Sequence, residues 1–240
     1  DITRIAEIKG VSIGADAVTI GAGVTWSELL RADLPRGFDG LKAAAREVGS
    51  VQIQNRATIA GNLCNASPAA DGVPPLLTLD AALEIRSSIA RRILPLRDFI
   101  TGNRRTRLEP GELVTAIRIP ARLAEGRSSF VKLGSRRFLV ISIVSAAALL
   151  RTNAAGRVEE ARIAVGACSA VPTRLPAVES ALSGQALSDA LLHRVDGSQM
   201  AELSPIDDVR ATAGYRRDAA VALVRRAIHE CVIGRSGGMA

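Results

Sequence analysis

Val18, Ile20, Ala22 and Val24 alternate with Thr19, Gly21 and Gly23, which predicts a half-buried strand over 18–24. Thr25-Trp-Ser-Glu28 then fits a capping box, with a hydroxyl at the N-cap and a carboxylate three residues on, ahead of Leu29 and Leu30. The short helix that follows ends near Pro35. Leu41, Ala44, Ala45 and Val48 recur at helical spacing, and Gly49 stops that helix. From Ser50 to Pro75 the pattern gives way to a long stretch of polar and small residues. Leu83–Arg86, Ile89–Leu94 and Leu113–Ile119 read as strands. Strands and helices mix, so this half is α/β or α+β.

A polar, turn-rich seam runs from Pro120 to Ser129, and a domain boundary is placed there. Beyond it Phe130–Leu133 reads as a strand, the β-branched Ile141 and Ile143 as a second, and Ala161, Ile163, Val165 and Ala167 alternate in a third. Asn153-Ala-Ala-Gly156 supplies a hairpin turn. Helices are predicted near Leu175–Leu182 and Leu187–Val195. The last helix carries the clearest stripe, Ala220, Leu223, Val224, Ala227, Ile228 and Cys231, with Arg225, Arg226 and His229 off it. Sheet first and helices after gives an α+β class with two domains, 1–122 and 127–235, and a flexible tail at 236–240.

Composition narrows the function. Hydrophobic residues make up 48% and charged residues 23% of 240, as in a globular protein. The longest apolar run, Phe138–Leu150, is interrupted by Ser142 and Ser145 and falls short of the ~20 residues of a membrane span. Cys64, Cys168 and Cys231 lie far apart, which argues against a disulfide framework and for a reducing cytoplasm. No Cys-x-x-Cys pair offers a cluster or zinc site, so no metal is expected on this chain. The net charge of +7 is carried mostly by arginines spread along the chain, which reads as a solvated surface and not as a nucleic-acid site. Arg136 and Arg137 are the local exception considered for docking an acidic partner or an anionic acceptor. The chain opens on Asp1 and not on Met, which reads as a piece or processed form of a longer product.

The informative segment is Asn55-Arg-Ala-Thr-Ile-Ala-Gly-Asn-Leu-Cys-Asn-Ala-Ser-Pro-Ala-Ala-Asp71. Side-chain amides and hydroxyls offer neutral donors and acceptors, and small residues let a ligand approach the backbone. Pro68 suits the first turn of a helix, which would put Asp71 near a helix start or in reach of a ribose hydroxyl. On spacing alone the segment is either a ligand-binding loop or a buried Asn-rich turn packing two subdomains.

Thr58-Ile-Ala-Gly-Asn62 followed by Asn65-Ala-Ser-Pro-Ala-Ala-Asp71 resembles the flavin-binding signature of the molybdenum hydroxylases, the FAD subunits of xanthine dehydrogenase, carbon monoxide dehydrogenase and their relatives. The resemblance continues through Pro74-Pro-Leu-Leu-Thr-Leu-Asp-Ala81, Glu112–Pro120, Phe130-Val-Lys-Leu-Gly-Ser-Arg-Arg137, Val140–Val144, Gly166, Pro172-Thr-Arg174 and Tyr215-Arg216. It implies a two-domain FAD-binding oxidoreductase subunit, with an α/β N-terminal part and a C-terminal domain of antiparallel sheet plus helices. Such a subunit takes electrons from 2Fe-2S clusters on an iron–sulfur partner, fed by a molybdopterin partner that holds the molybdenum cofactor. It passes them to NAD or another acceptor, within a heterotrimer.

The resemblance also implies roles position by position. Thr58, Ala60, Gly61 and Asn62 match the loop at the FAD pyrophosphate and sugar, and Asn65 and Asp71 match further flavin contacts. Gly49 and Ile53 match positions beside the flavin, Val114 an apolar pocket residue, and Lys132 a basic residue near the ring. Read from the residues alone, Lys132 is equally a solvated lysine at a strand end, and Cys64 is a small buried hydrophobe. Tyr215 and Arg216 read as fixing the last helix. The family usually has glycine at Ala57 and Ala60 and often a basic residue at Gln54, and its flavoproteins carry an upstream segment ahead of the point matched by Asp1. Those departures motivate an alternative, a flavin-free structural or assembly subunit of such a complex.

Overall fold

The computed structural model describes residue 2 and residues 4–234; the tail expected at 236–240 lies outside the described residues. The chain opens with an antiparallel hairpin of β1 (Val11–Ile13) and β2 (Ala17–Gly21). The strand predicted over 18–24 stops at Gly21, where the chain turns and the Val24 N–H donates to the Gly21 carbonyl at 3.0 Å. Gly21 packs so closely that a Cβ there would lie 2.2 Å from the Ile8 carbonyl oxygen. Ala22 and Val24 remain in the core. The predicted capping box opens α1 (Trp26–Arg31): the Glu28 N–H donates to Thr25 Oγ1 at 3.2 Å, and the Thr25 N–H to Glu28 Oε2 at 2.7 Å. Next comes α2 (Asp39–Glu47), which buries Leu41, Ala44 and Ala45 as their spacing requires.

The stretch from 50 to 75 is not an open loop. It folds into three short helices, α3 (Val51–Gln54), α4 (Ile59–Asn65) and α5 (Val73–Thr78). Hydroxyls start the first two: Ser50 Oγ accepts from the Ile53 N–H at 3.4 Å, and Thr58 Oγ1 from the Gly61 N–H at 3.0 Å. The polar residues that interrupt the apolar period are therefore helix caps, each satisfying an otherwise unpaired first-turn donor. Pro68 sits in a turn, and Pro74 supplies the first-turn proline of α5 instead.

β3 (Ala82–Arg86) and β4 (Arg91–Pro95) form the next hairpin. Ile89, expected within the strand, stands at its tip, 94% exposed. After α6 (Leu96–Phe99) and the small hairpin of β5 (Ile100–Gly102) and β6 (Arg105–Thr106), β7 (Leu113–Pro120) enters between β2 and β3. The sheet order is β1-β2-β7-β3-β4. Every pairing in it is antiparallel, so the part expected as α/β combines its helices with an antiparallel sheet.

The seam carries α7 (Ala121–Ala124), whose Leu123 is fully buried, and leads directly into β8 (Arg127–Leu133). With β9 (Val144–Thr152), β10 (Val158–Gly166) and β11 (Thr173–Arg174) it forms a second antiparallel sheet, ordered β11-β10-β9-β8. Ile141 lies ahead of β9 and is 62% exposed, not in a strand. Leu139 is left-handed at φ +54, its carbonyl held by Arg136 Nη2 at 2.6 Å, so the chain turns there, and the first bond to β8 runs from the Ile143 N–H to the Leu133 carbonyl at 2.8 Å. The Asn153–Gly156 turn joins β9 to β10 as predicted. α8 (Pro176–Leu182) follows; the helix expected over 187–195 is a 3-10 segment at Asp189–Arg194. Finally α9 (Ala213–Ile233) lays Ala220, Val224, Ala227, Ile228 and Cys231 on β8 and β9. One core surrounds Trp26, Phe38 and Phe99, the other lies under α9, and Leu149 and Ala164 of the second sheet pack into the first core.

Candidate functional site

The start of α1 holds the start of α4. The Trp26 N–H donates to the Ala57 carbonyl at 3.2 Å, the Ile59 N–H to the Val24 carbonyl at 3.1 Å, and Ser27 Oγ to Asn55 Oδ1 at 2.6 Å. Along α4, Ile59 and Leu63 face the core while Gly61 is exposed. The Ala60 side chain is buried, so this position presents only backbone. Asn62 Oδ1 is buried with no hydrogen-bond partner among the described residues. It lies against Gly72, where a Cβ would sit 2.9 Å from Asn62 Oδ1 and 2.5 Å from Trp26 Cη2. Only glycine fits between them, and it brings Asn62 to the neighbour of Asp71. At the end of α4 the Asn65 amide oxygen accepts from the Arg104 guanidinium, and the Arg104 N–H donates to the Ala66 carbonyl at 2.9 Å.

Asp71, two residues before α5, is the meeting point. Lys132 Nζ at the end of β8 donates to its Oδ2 at 2.6 Å, and Ser142 Oγ donates to its Oδ1 at 2.5 Å. The Lys132 and Asp71 side chains are 7% and 8% exposed, so Lys132 is a buried partner and not a solvated strand-end lysine. Burial pushes the Asp71 carboxyl up, against the opposing pull of the Lys132 charge and of the Lys132 and Ser142 hydrogen bonds. Glu47, at the end of α2, is pushed up chiefly by burial, with Lys132 pulling back and Asp71 adding to the rise. Asp71 is the hydrogen-bond partner of Nζ among the described residues, which leaves two of its three donors uncommitted.

Other expectations fall elsewhere. Gly49 and Ile53 do meet: Gly49 has φ +56, and a Cβ there would lie 2.7 Å from Ile53 Cδ1. Val114 pairs with Ile85 inside the first sheet and belongs to the core, so its side chain reaches no open surface. Cys64 is exposed, not buried, because it falls on the outer face of α4. Neither Ala57 nor Ala60 has a positive φ, so alanine is unstrained at both. Gln54 is buried, with Nε2 on the Arg46 carbonyl at 3.2 Å. Arg216 is buried and binds the Ile143 and Ala167 carbonyls at 2.6 and 2.9 Å, whereas Tyr215 is 53% exposed and contributes its N–H to the Thr212 cap at 3.3 Å. Surface cavities of about 310 and 210 Å³ are lined by none of the candidate residues.

Sequence reasoning missed Ser142, Arg104 and Glu47. Ser142 carried a signal, since a hydroxyl interrupting a long apolar run needs a buried partner. Arg104 and Glu47 carried none, because only the folded chain brings them to Asn65 and Lys132.

Comparison with known proteins places the fold in a family. Residues 1–122 match the FAD binding domain in molybdopterin dehydrogenase, and residues 129–231 the CO dehydrogenase flavoprotein C-terminal domain. The chain is 30% identical over 240 residues to the xanthine dehydrogenase FAD-binding subunit of Escherichia coli O157:H7, covering 99% of this chain and 82% of that one. It is also 30% identical over 229 residues to the carbon monoxide dehydrogenase medium chain of Afipia carboxidovorans, covering 95% and 79%. Among solved structures, a Cu,Mo-CO dehydrogenase chain superposes with a TM-score of 0.87 at 28% identity, over 96% of this chain and 80% of that one. A chain of quinoline 2-oxidoreductase from Pseudomonas putida gives 0.85 at 27% identity, over 98% and 81%. With both family models matched in order along one chain and the fold shared, this protein belongs to the FAD-binding medium subunits of the xanthine dehydrogenase and carbon monoxide dehydrogenase family of molybdenum-containing oxidoreductases.

Proposed function

We propose that this chain holds FAD between α4 and the Asp71–Lys132 pair, and relays electrons from iron–sulfur clusters on a partner chain to NAD or another acceptor. The observation that carries the reading is Lys132, a buried ammonium with two uncommitted donors beside a buried, unpartnered Asn62 oxygen. Buried polar groups are normally paired, so such a combination suits a bound polar ligand. Thr58, Gly61 and Asn62, with the Ala60 backbone, would meet the pyrophosphate and sugar. Asn65 and Asp71 would meet hydroxyls, for which the carboxylate keeps spare lone pairs. Gly49 and Ile53 would flank the ring, with Val114 supporting it from the core, and Lys132 would favour negative charge on it.

FAD supplies the electron-carrying chemistry, and the chain supplies position and electrostatics. Alanine at 57 and 60 is unstrained, so these two departures from glycine give no support to a flavin-free scaffold. By the same reading the chain works in a heterotrimer beside an iron–sulfur and a molybdopterin subunit, in the cytoplasm, divided into domains at 1–122 and 127–235. Among the described residues no helix is long and apolar enough to cross a membrane. The test is the visible spectrum of the complex purified with its partner chains, followed by FAD titration of the Lys132→Met variant. We expect flavin absorbance, and at least tenfold weaker FAD binding in the variant, since a hydrogen bond to a charged group is worth about 1.5–3 kcal/mol. A complex that neither carries nor takes up FAD would refute the reading.

A further inference from the structure

We infer that Ser142 is a positioning residue of the cofactor site: its hydroxyl fixes the Asp71 carboxylate, which in turn fixes the Lys132 ammonium. The inference rests on the FAD reading only for what the ammonium faces. Three separate segments meet here: the turn ahead of α5, the end of β8, and residues 134–143 between β8 and β9. Each Asp71 oxygen receives one donor, Oδ2 from Lys132 and Oδ1 from Ser142, so the two contacts together set the plane of the carboxylate. Ser142 is fully buried, and without its hydroxyl Oδ1 faces protein with no donor.

The Ser142 backbone is itself anchored independently of Asp71. Arg210 Nη1 donates to the Ser142 carbonyl at 3.1 Å, and the buried Arg216 donates to the Ile143 carbonyl at 2.6 Å. The hydroxyl is thus delivered by a fixed backbone. The charged groups around the pair are Glu47 from α2, Arg137 from the 134–143 segment and Arg210 from the segment ahead of α9. The side-chain donors on the Asp71 carboxylate among the described residues are Lys132 on Oδ2 and Ser142 on Oδ1.

Ser142→Ala and Ser142→Thr separate positioning from space-filling, read in two ways. In the complex, Ser142→Ala should lower the midpoint potential of bound FAD by about 30 mV, a tenfold loss of preference for the reduced form, and Ser142→Thr should restore it. In the flavin-free chain, unfolding is followed against pH. Loss of the hydroxyl raises the Asp71 pKa in the folded state further. A raised folded pKa gives stability at low pH that is lost as pH rises through it. Ser142→Ala should therefore come closest to wild type below about pH 3.9, where the carboxyl is protonated in both states, and fall behind it toward pH 8. A deficit of equal size at both pH values with an unchanged potential overturns the inference. So does a pH-dependent deficit with an unchanged potential, since the hydroxyl would then act on Asp71 alone. Should Ser142→Ala not fold, Asp71→Asn takes its place, with a lowered potential and a flattened pH profile expected. If the wild-type complex takes up no FAD, the functional reading fails by itself, and the pH series on the flavin-free chain still decides whether Ser142 fixes Asp71.

Discussion

Lys132→Met puts the buried pair to its hardest test. Lys132 and Asp71 are 2.6 Å apart, and their side chains are 7% and 8% exposed. Methionine keeps the bulk of the lysine stem but leaves the carboxylate without its cation. Removing one partner of a buried pair costs about 3–5 kcal/mol, mostly from the uncompensated charge left behind. Replacing both partners is far less damaging, so Lys132→Met/Asp71→Asn should recover at least about 2 kcal/mol of that loss. Urea unfolding of the flavin-free chain measures both through the midpoint at constant slope. The sign of the pH dependence follows from burial, which already pushes Asp71 up. Without Lys132 the folded-state pKa rises further, so the variant's deficit grows as pH rises through it. The deficit is smallest below the unfolded value of about 3.9, where the carboxyl is protonated in both states. A deficit that is the same below about pH 3.9 and at pH 8, or a double variant as unstable as the single, would refute the reasoning.

Two further outcomes are expected. Thr25→Ala removes one half of the capping box on α1 and should cost about 1 kcal/mol in the same urea assay, while Thr25→Ser should cost little. Gly49→Ala forces an L residue into φ +56 with its Cβ 2.7 Å from Ile53 Cδ1. It should cost about 1–2 kcal/mol from the backbone alone, and by displacing Ile53 it should weaken FAD binding in a titration.

The local elements were legible because their causes are local. Thr25 and Glu28 form their box within one turn, and the α9 stripe is a single face of one helix. The stretch around Asn55–Asp71 stood out by composition but was not legible as a fold, because Ser50 and Thr58 act as caps only when read with helices too short to show a period. Ile141 and Ile143 look like strand residues because they are β-branched, yet the chain turns at a left-handed Leu139 held by Arg136, and only Ile143, through its N–H to Leu133, reaches the sheet. Lys132 was picked by resemblance, but its burial depends on Asp71, 61 residues away in sequence. Val114 was likewise picked by resemblance, and only the folded chain shows that it sits inside the first sheet, paired with Ile85.

Helix α5 explains why the site depends on both sheets. All six of its residues are buried, and Pro74 packs so tightly on β10 that a Cβ at Gly166 would lie 2.9 Å from Pro74 Cγ. Asp71 stands before the helix and reaches Lys132; Asp80 stands after it and reaches three arginines. Arg162 lies 3.1 Å, Arg174 3.2 Å and Arg122 3.5 Å from the Asp80 carboxylate. The two ends differ in setting, however. The Asp80 side chain is 24% exposed, with the three guanidiniums between 18% and 50%, so water and salt reach this end as they do not reach Asp71. Asp80 also sits at φ +49, which asparagine tolerates as well as aspartate does, so Asp80→Asn removes the charge and leaves the backbone unstrained. The expected loss is about 1 kcal/mol at low ionic strength, shrinking in 1 M salt, where the screening length falls to about 3 Å. The Lys132→Met deficit, lying in a dry cluster, should persist at that salt. If the two variants respond to salt alike, the ends of α5 share one environment, and the distinction between a solvent-screened outer anchor and a buried inner anchor is wrong.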